Sequence, residues 1–162
     1  MDTYLAIASK RDERAYADTP VPDEVRRRIL DAGRLSGSSR NTQRWEFVVP
    51  GPETQAALAD AVYAPANVAT ATLVVAIVGE AGGFDVGRCA QNMMLAAWND
   101  GVVSCPNGIR DAEAAAALLG GEVKAVISFG YPARPHDPER RSAAEWSARA
   151  DRLPLDDLSR RA

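Results

Sequence analysis

Seven consecutive residues without a charge, Thr72-Leu73-Val74-Val75-Ala76-Ile77-Val78, constrain this chain more than any other segment. The run is mostly β-branched and shows no polar alternation, so it predicts a strand covered on both faces, at the centre of a sheet. Layers of helix must then lie on either side of it. The next segment supplies one of them. From Asp85 to Asn99 the residues Val86, Cys89, Ala90, Met93, Met94, Ala97 and Trp98 form a broad apolar stripe at helical spacing, and Asp100-Gly101 stops it.

The remaining elements are weaker but readable. Residues 3 to 9 predict a short helix with Leu5 and Ile7 as its anchors. Pro20-Val21-Pro22 and Asp23-Glu24 mark the entry of a second helix, whose Val25, Ile29, Leu30, Ala32 and Gly33 share one side while Arg26, Arg27 and Arg28 cover the other. Ser36 to Arg44 is a polar loop leading into a strand, Trp45 to Val49. A turn at Pro50-Gly51-Pro52 precedes a helix over Glu53–Val62, and Tyr63 to Asn67 reads as irregular. Val102-Val103-Ser104 predicts a short strand, Asp111 to Leu119 a helix ending at Gly120-Gly121, and Val123 to Phe129 a last strand closed by Gly130-Tyr131-Pro132. Strands separated by helices allow a doubly wound parallel sheet or an α+β layer, and periodicity leaves both open. Composition shifts after Pro132, which divides a core at 1–132 from a charged extension at 133–162 with few apolar anchors.

Composition narrows the function classes. With 19 Lys and Arg against 22 Asp and Glu the net charge is −3, which excludes the strong basic field of a nucleic-acid binder. No apolar run reaches the length of a membrane span, and Met1-Asp2-Thr3-Tyr4 is no basic-then-apolar leader, so a cytoplasmic protein is expected. Cys89 and Cys105 have neither metal-ligand spacing nor a disulfide framework, and no metal site is expected. The single histidine, His136, lies in a loop composition and reads as a surface residue. Neither a G-x-G-x-x-G after a strand nor a phosphate loop occurs. Any chemistry is therefore expected to be borrowed from a bound cofactor.

Four segments, taken in order, carry a resemblance. They are Lys10-Arg11-Asp12-Glu13-Arg14-Ala15-Tyr16, then Ser36-Gly37-Ser38-Ser39-Arg40-Asn41-Thr42-Gln43-Arg44-Trp45, then Asp85 to Gly101 with Ser104-Cys105, and finally Gly130-Tyr131-Pro132 with Arg152-Leu153-Pro154-Leu155. This order resembles the nitroreductase family of flavin enzymes, with its R-R-S-x-R-x-F start, P-S-S-x-N-x-Q-P-W loop, A-x-Q-N-x-x-L-A-A helix leading to G-x-x-S-C, and R-x-P-L tail. The resemblance implies an α+β fold with a central, mainly antiparallel sheet flanked by helices, in an intertwined homodimer with FMN at its interface. It also implies a ping-pong oxidoreductase in which NAD(P)H reduces the flavin and an electron-poor acceptor, a nitro compound or quinone, then takes its place. Flavin-dependent dehydrogenation, flavin modification, or flavin binding without turnover are the alternatives on the same fold.

The same resemblance distributes roles. Lys10, Arg11 and Arg152 match the cations of the FMN phosphate, for which a planar guanidinium is well shaped. Arg14 matches the cation at the pyrimidine edge, where negative charge develops on reduction. Gly37, Ser38 and Ser39 match the loop that contacts the ring from the opposite subunit, with Asn41 and Gln43 holding the loop or reaching the cofactor. Val103, Ser104 and Cys105 match the backbone passing the reactive edge of the flavin, and no catalytic side chain is implied. Trp45 is expected in the core and Asn92 as a structural hydrogen-bonder. Two positions depart from the pattern: Asp12 stands where the family commonly has Ser, and Arg44 replaces the usual Pro. A carboxylate beside a phosphate repels it unless paired with Arg11 or Arg14.

Overall fold

A computed structural model describes residues 1–160. In chain order it contains α1 (Thr3–Ser9), α2 (Asp23–Arg34), β1 (Glu46–Val48), α3 (Pro52–Ala59), α4 (Pro65–Ala69), β2 (Leu73–Val78), α5 (Gly83–Asn99), β3 (Val103–Asn107), α6 (Ala112–Leu119), β4 (Val123–Gly130), α7 (Ala143–Ala148) and α8 (Leu155–Leu158). Contacts divide these elements into two units, Arg11–His136 and a smaller one made of Met1–Lys10 with the residues from Asp137 onward.

The larger unit is built on one antiparallel sheet in the order β1-β2-β4-β3. This settles the choice left open by periodicity in favour of the α+β layer. The uncharged run becomes β2, buried at every position. Its alternation explains why no face is polar. Leu73, Val75 and Ile77 join Ile127 and Phe129 of β4 in a core under α2 and α5, with Ile29, Cys89, Met93 and Ala97. Val74, Ala76 and Val78 join Val126 in a second core with Leu58, Val62, Val68 and Ala115, from α3, α4, α6 and the chain after α3. Fully burying a Val, Leu or Ile side chain contributes roughly 1.5–3 kcal/mol, so β2 anchors both layers at once. Trp45 and Phe47 pack against the first core as expected.

Close approach of α2 to α5 needs a missing side chain. A Cβ at Gly33 would collide with Met93 and Phe47. The termini of α6 follow local chemistry: the Asp111 carboxylate accepts from the Ala114 N–H at 2.9 Å, and Gly120 ends the helix at φ 77°. Gly79, directly after β2, sits at φ 129°, where a Cβ would stand 2.7 Å from the Arg44 carbonyl oxygen.

In the smaller unit α1 packs on α7 and on the 3-10 turn Pro138–Arg140. The Asp2 carboxylate caps α1 by accepting from the Tyr4 and Leu5 N–H groups, and Ser142 with Glu145 forms a capping box on α7. The Trp146 indole N–H donates to the Pro138 carbonyl at 2.7 Å.

Several local expectations are corrected. Ala6 and Ser9 are the buried residues of α1, whereas Leu5 is half-buried and Ile7 is 53% exposed. The stretch read as irregular, Tyr63 to Asn67, holds the first turn of α4, which Pro65 starts and Val68 anchors. β3 runs on through Pro106 to Asn107, because an edge strand tolerates a residue without an N–H. His136 is no bare surface residue: its ring lies 4.2 Å from that of buried Trp98, tilted by 57°.

Candidate functional site

Residues 12 and 13 lie along the outer edge of β3. Asp12 forms an isolated parallel bridge with Ser104, and the Glu13 N–H donates to the Ser104 carbonyl at 3.1 Å. Further along, Tyr16 bridges Pro132, the Ala17 N–H donates to the Tyr131 carbonyl at 2.8 Å, and the Ala133 N–H to that of Ala15 at 3.0 Å. Residues about ninety positions apart thus meet at one sheet edge: Arg11, half-buried, and Arg14, exposed, next to Val103 and Ser104. The Ser104 hydroxyl is fully buried and has no hydrogen-bond partner among the described residues.

The loop after α2 is held at the other side of the sheet. The Ser38 hydroxyl accepts from the Gln43 N–H at 2.9 Å, and the Gln43 side-chain amide donates to the Asn41 carbonyl at 3.2 Å. Within this small closed turn Arg40, Asn41 and Gln43 take φ values of 53°, 56° and 48°. Left-handed conformations cost non-glycine residues roughly 1–2 kcal/mol each, and strain of this kind clusters where a loop is shaped for a ligand. Two contacts fix the loop to α5. Asn92 donates to the Ser36 hydroxyl at 2.8 Å, as its polar position on the helix predicts. Gly37 lies against the Arg88 guanidinium, where a Cβ would come within 2.7 Å. Arg88 itself sits 5.6 Å over the Phe84 ring.

The two groups of residues do not meet within one chain. The loop feeds β1, residues 12 and 13 line β3, and β2 and β4 lie between them. Three strand spacings amount to about 14 Å.

The model of the nitroreductase family matches residues 7–84 and 81–131. The chain belongs to the nitroreductase family.

A curated relative in Thermus thermophilus, an NADH dehydrogenase, is 33% identical over 81 residues, 49% of this chain and 40% of the relative. The matched stretch therefore spans less than half the length of that protein. Among solved structures, one from Desulfovibrio desulfuricans described as a nitroreductase in complex with FMN is 25% identical, with a TM-score of 0.81 over 100% of this chain and 98% of its own. A nitroreductase family protein of Streptococcus pneumoniae shares the fold at a TM-score of 0.83 and 17% identity, covering 99% and 100%.

Other residues singled out in this nitroreductase family chain fall elsewhere. Lys10 and Arg152 belong to the smaller unit: Lys10 ends α1, and the exposed Arg152 donates to the Ala150 carbonyl at 2.9 Å. Arg44, at the loop exit, lies 3.8 Å from the Glu80 carboxylate on the surface. Cys89 and Cys105 are buried and unbridged, and burial pushes the Cys89 thiol up, against a hydrogen bond to Ser36. No set of three metal-binding side chains forms among the described residues.

One cluster escaped the sequence reading. Beneath β3 and β4 the Tyr16 hydroxyl lies 2.8 Å from that of Ser128, and the Asn107 amide donates to Ser128 at 3.1 Å and to the Cys105 carbonyl at 3.0 Å. The only local signal was polar Asn107 and Ser128 inside apolar strands. Burial pushes the Tyr16 hydroxyl up to about 12, against the Ser128 hydrogen bond, so it stays protonated under physiological conditions. An acid raised above its unfolded value of about 10 stabilises the fold fully below that pH. Stability is then expected to fall by about 1–2 kcal/mol as pH climbs from 10 through 12, after discounting for the part of the ring that water reaches. Denaturant melts of wild type and Tyr16→Phe check this: the fall shrinks in the variant, and an equal fall in both would refute it.

Proposed function

We propose that this chain is an FMN-dependent oxidoreductase that moves hydride from NAD(P)H to an electron-poor small molecule, a nitro compound or quinone, with the two substrates using one space in turn. The reading rests on one observation above all: the cationic 11–14 motif is hydrogen-bonded to Ser104 at the β3 edge of the sheet, while the small-residue loop leads into β1 at the opposite edge. Each chain offers both halves of a cofactor site, but apart. Two copies, each lending its loop to the other's β3 edge, would complete two sites, which is why the proposal is a homodimer.

The donor set suits FMN. Its phosphate calls for guanidinium and ammonium groups, which Arg11, Lys10 and Arg152 would provide. The flat ring calls for a backbone that can come close, which Gly37, Ser38 and Ser39 allow, with Asn41 and Gln43 keeping the turn closed. The orphaned Ser104 hydroxyl marks a polar environment still incomplete at that edge. Asp12 is tied into the strand edge through its backbone, between Arg11 and Arg14 in the sequence. When bound, FMN supplies the two-electron redox chemistry. The chain's part is to bind it, to hold the positive charge of Arg14 against its pyrimidine edge, and to keep water from the ring.

The extension at 133–162 is assigned to the partner subunit, where Arg152 would join the phosphate site. Leu153, Leu155 and Leu158 support this, being 66%, 77% and 66% exposed in the single chain. We place the protein in the cytoplasm, where NAD(P)H is regenerated and unbridged cysteines stay reduced.

Titration with FMN, sedimentation, and anaerobic mixing with NADH and NADPH test the proposal together. A dimer binding one FMN per chain, bleached by either nucleotide and recoloured by a nitroaromatic or quinone, is expected. A monomer that leaves FMN unbound overturns the reading, and a yellow dimer that neither nucleotide bleaches overturns the catalytic part.

A further inference from the structure

We infer that Tyr16 is a positioning residue for Arg14, its hydroxyl ending a buried hydrogen-bonded run that fixes the peptide carrying the arginine. The inference deepens the proposed function and rests on it. It begins with proton counting. Asn67 donates its side-chain amide to the side-chain oxygen Oδ1 of Asn107 at 3.1 Å, and the Asn107 side-chain amide donates in turn to the Ser128 hydroxyl at 3.1 Å. The Tyr16 hydroxyl, 2.8 Å from Ser128, also reaches the Glu13 carbonyl at 3.1 Å. A hydroxyl has one proton to give. With the Tyr16 proton on Glu13, Ser128 gives its one proton to Tyr16 at 2.8 Å rather than to the Cys105 carbonyl at 3.2 Å and accepts from Asn107, so the links point one way, from α4 to the peptide between Glu13 and Arg14.

The two peptides that flank Glu13 are thereby both held. The Glu13 N–H is bound to Ser104 and its carbonyl to Tyr16. The direction in which the Arg14 side chain leaves the backbone follows from this orientation. The ring of Tyr16 cannot slide to relax the contact, because it rests on Gly130, where a Cβ would lie 2.8 Å from its Cδ1.

The family pattern carries Phe at this position, so the hydroxyl is a feature of this chain superimposed on a ring the fold already accommodates. Backbone bonds of Tyr16's neighbours to Tyr131 and Ala133 survive its loss. Tyr16→Phe is therefore expected to fold, with a melting temperature lower by roughly 2–4 °C.

The decisive readout is the potential of the bound flavin. A cation displaced from the pyrimidine edge favours the reduced anion less. Tyr16→Phe is expected to lower the affinity for reduced relative to oxidised FMN about tenfold, which is about 30 mV in a two-electron potential. In an Arg14→Ala background the same change should have no further effect, since the group being positioned is gone. Amide exchange at Arg14 in the FMN-free protein should quicken in Tyr16→Phe, independently of turnover. A wild type that binds FMN, with a Tyr16→Phe variant of lower melting temperature and unaltered potential, overturns the inference and leaves the functional reading standing. A wild type that binds no FMN overturns both.

Discussion

Arg14→Ala is expected to weaken FMN binding about 10- to 100-fold and to slow its reduction by NAD(P)H, with little change in stability. The size follows from the loss of a charged hydrogen-bonding group, roughly 1.5–3 kcal/mol, at about 1.4 kcal/mol per factor of ten. Stability is spared because Arg14 is exposed, whereas the strand edge beneath it is held by backbone bonds from Glu13 to Ser104 and from Ala17 to Tyr131. Arg14→Lys should recover part of the loss, since it restores the charge but not the planar fork. FMN titration and stopped-flow reduction measure both effects. An Arg14→Ala protein with wild-type affinity and reduction rate removes this residue from the site.

Gly79→Ala is expected to cost about 3–5 kcal/mol of stability, a large fraction of what a domain of this size possesses. Two penalties coincide there. The backbone lies at φ 129°, a conformation that side chains resist, and a Cβ would stand 2.7 Å from the Arg44 carbonyl oxygen. The neighbour is backbone and cannot swing aside. Its displacement would shift the exit of the loop that carries Gly37 to Gln43, so FMN binding should fall as well. Denaturant midpoints give the first quantity and titration the second; a loss under about 1 kcal/mol would show that the loop exit yields freely.

What the sequence discloses and what it withholds divide along physical lines. β2 and α5 were legible because each carries its own signal, an uncharged run and a broad apolar stripe, and Gly120 closes α6 by a conformation that glycine favours. α4 was not, since Asn67 within it serves a hydrogen bond to Asn107 rather than a local pattern. His136 was misread for the same reason: its partner, Trp98, lies on a distant helix. In the candidate site the individual motifs could be matched by order and residue type. Their partition between the β1 and β3 sides depends on strand order, which periodicity does not encode. The run from Asn67 to Tyr16 links residues from four regions of the chain, of which only Asn107 and Ser128 show as isolated polar letters in apolar strands.

The covering of β3 by residues 12–13 has a bearing on solubility. An uncovered margin of a sheet is a template on which stray polypeptide can crystallise into fibrils. Here one margin is blocked at Ser104 by the chain itself and lacks a donor at Pro106, and the other is only three residues long. Removing the first dozen residues should therefore do more than strip Lys10 and Arg11 from a pocket: it would unmask a sticky ribbon, and the truncated protein would be lost to aggregation.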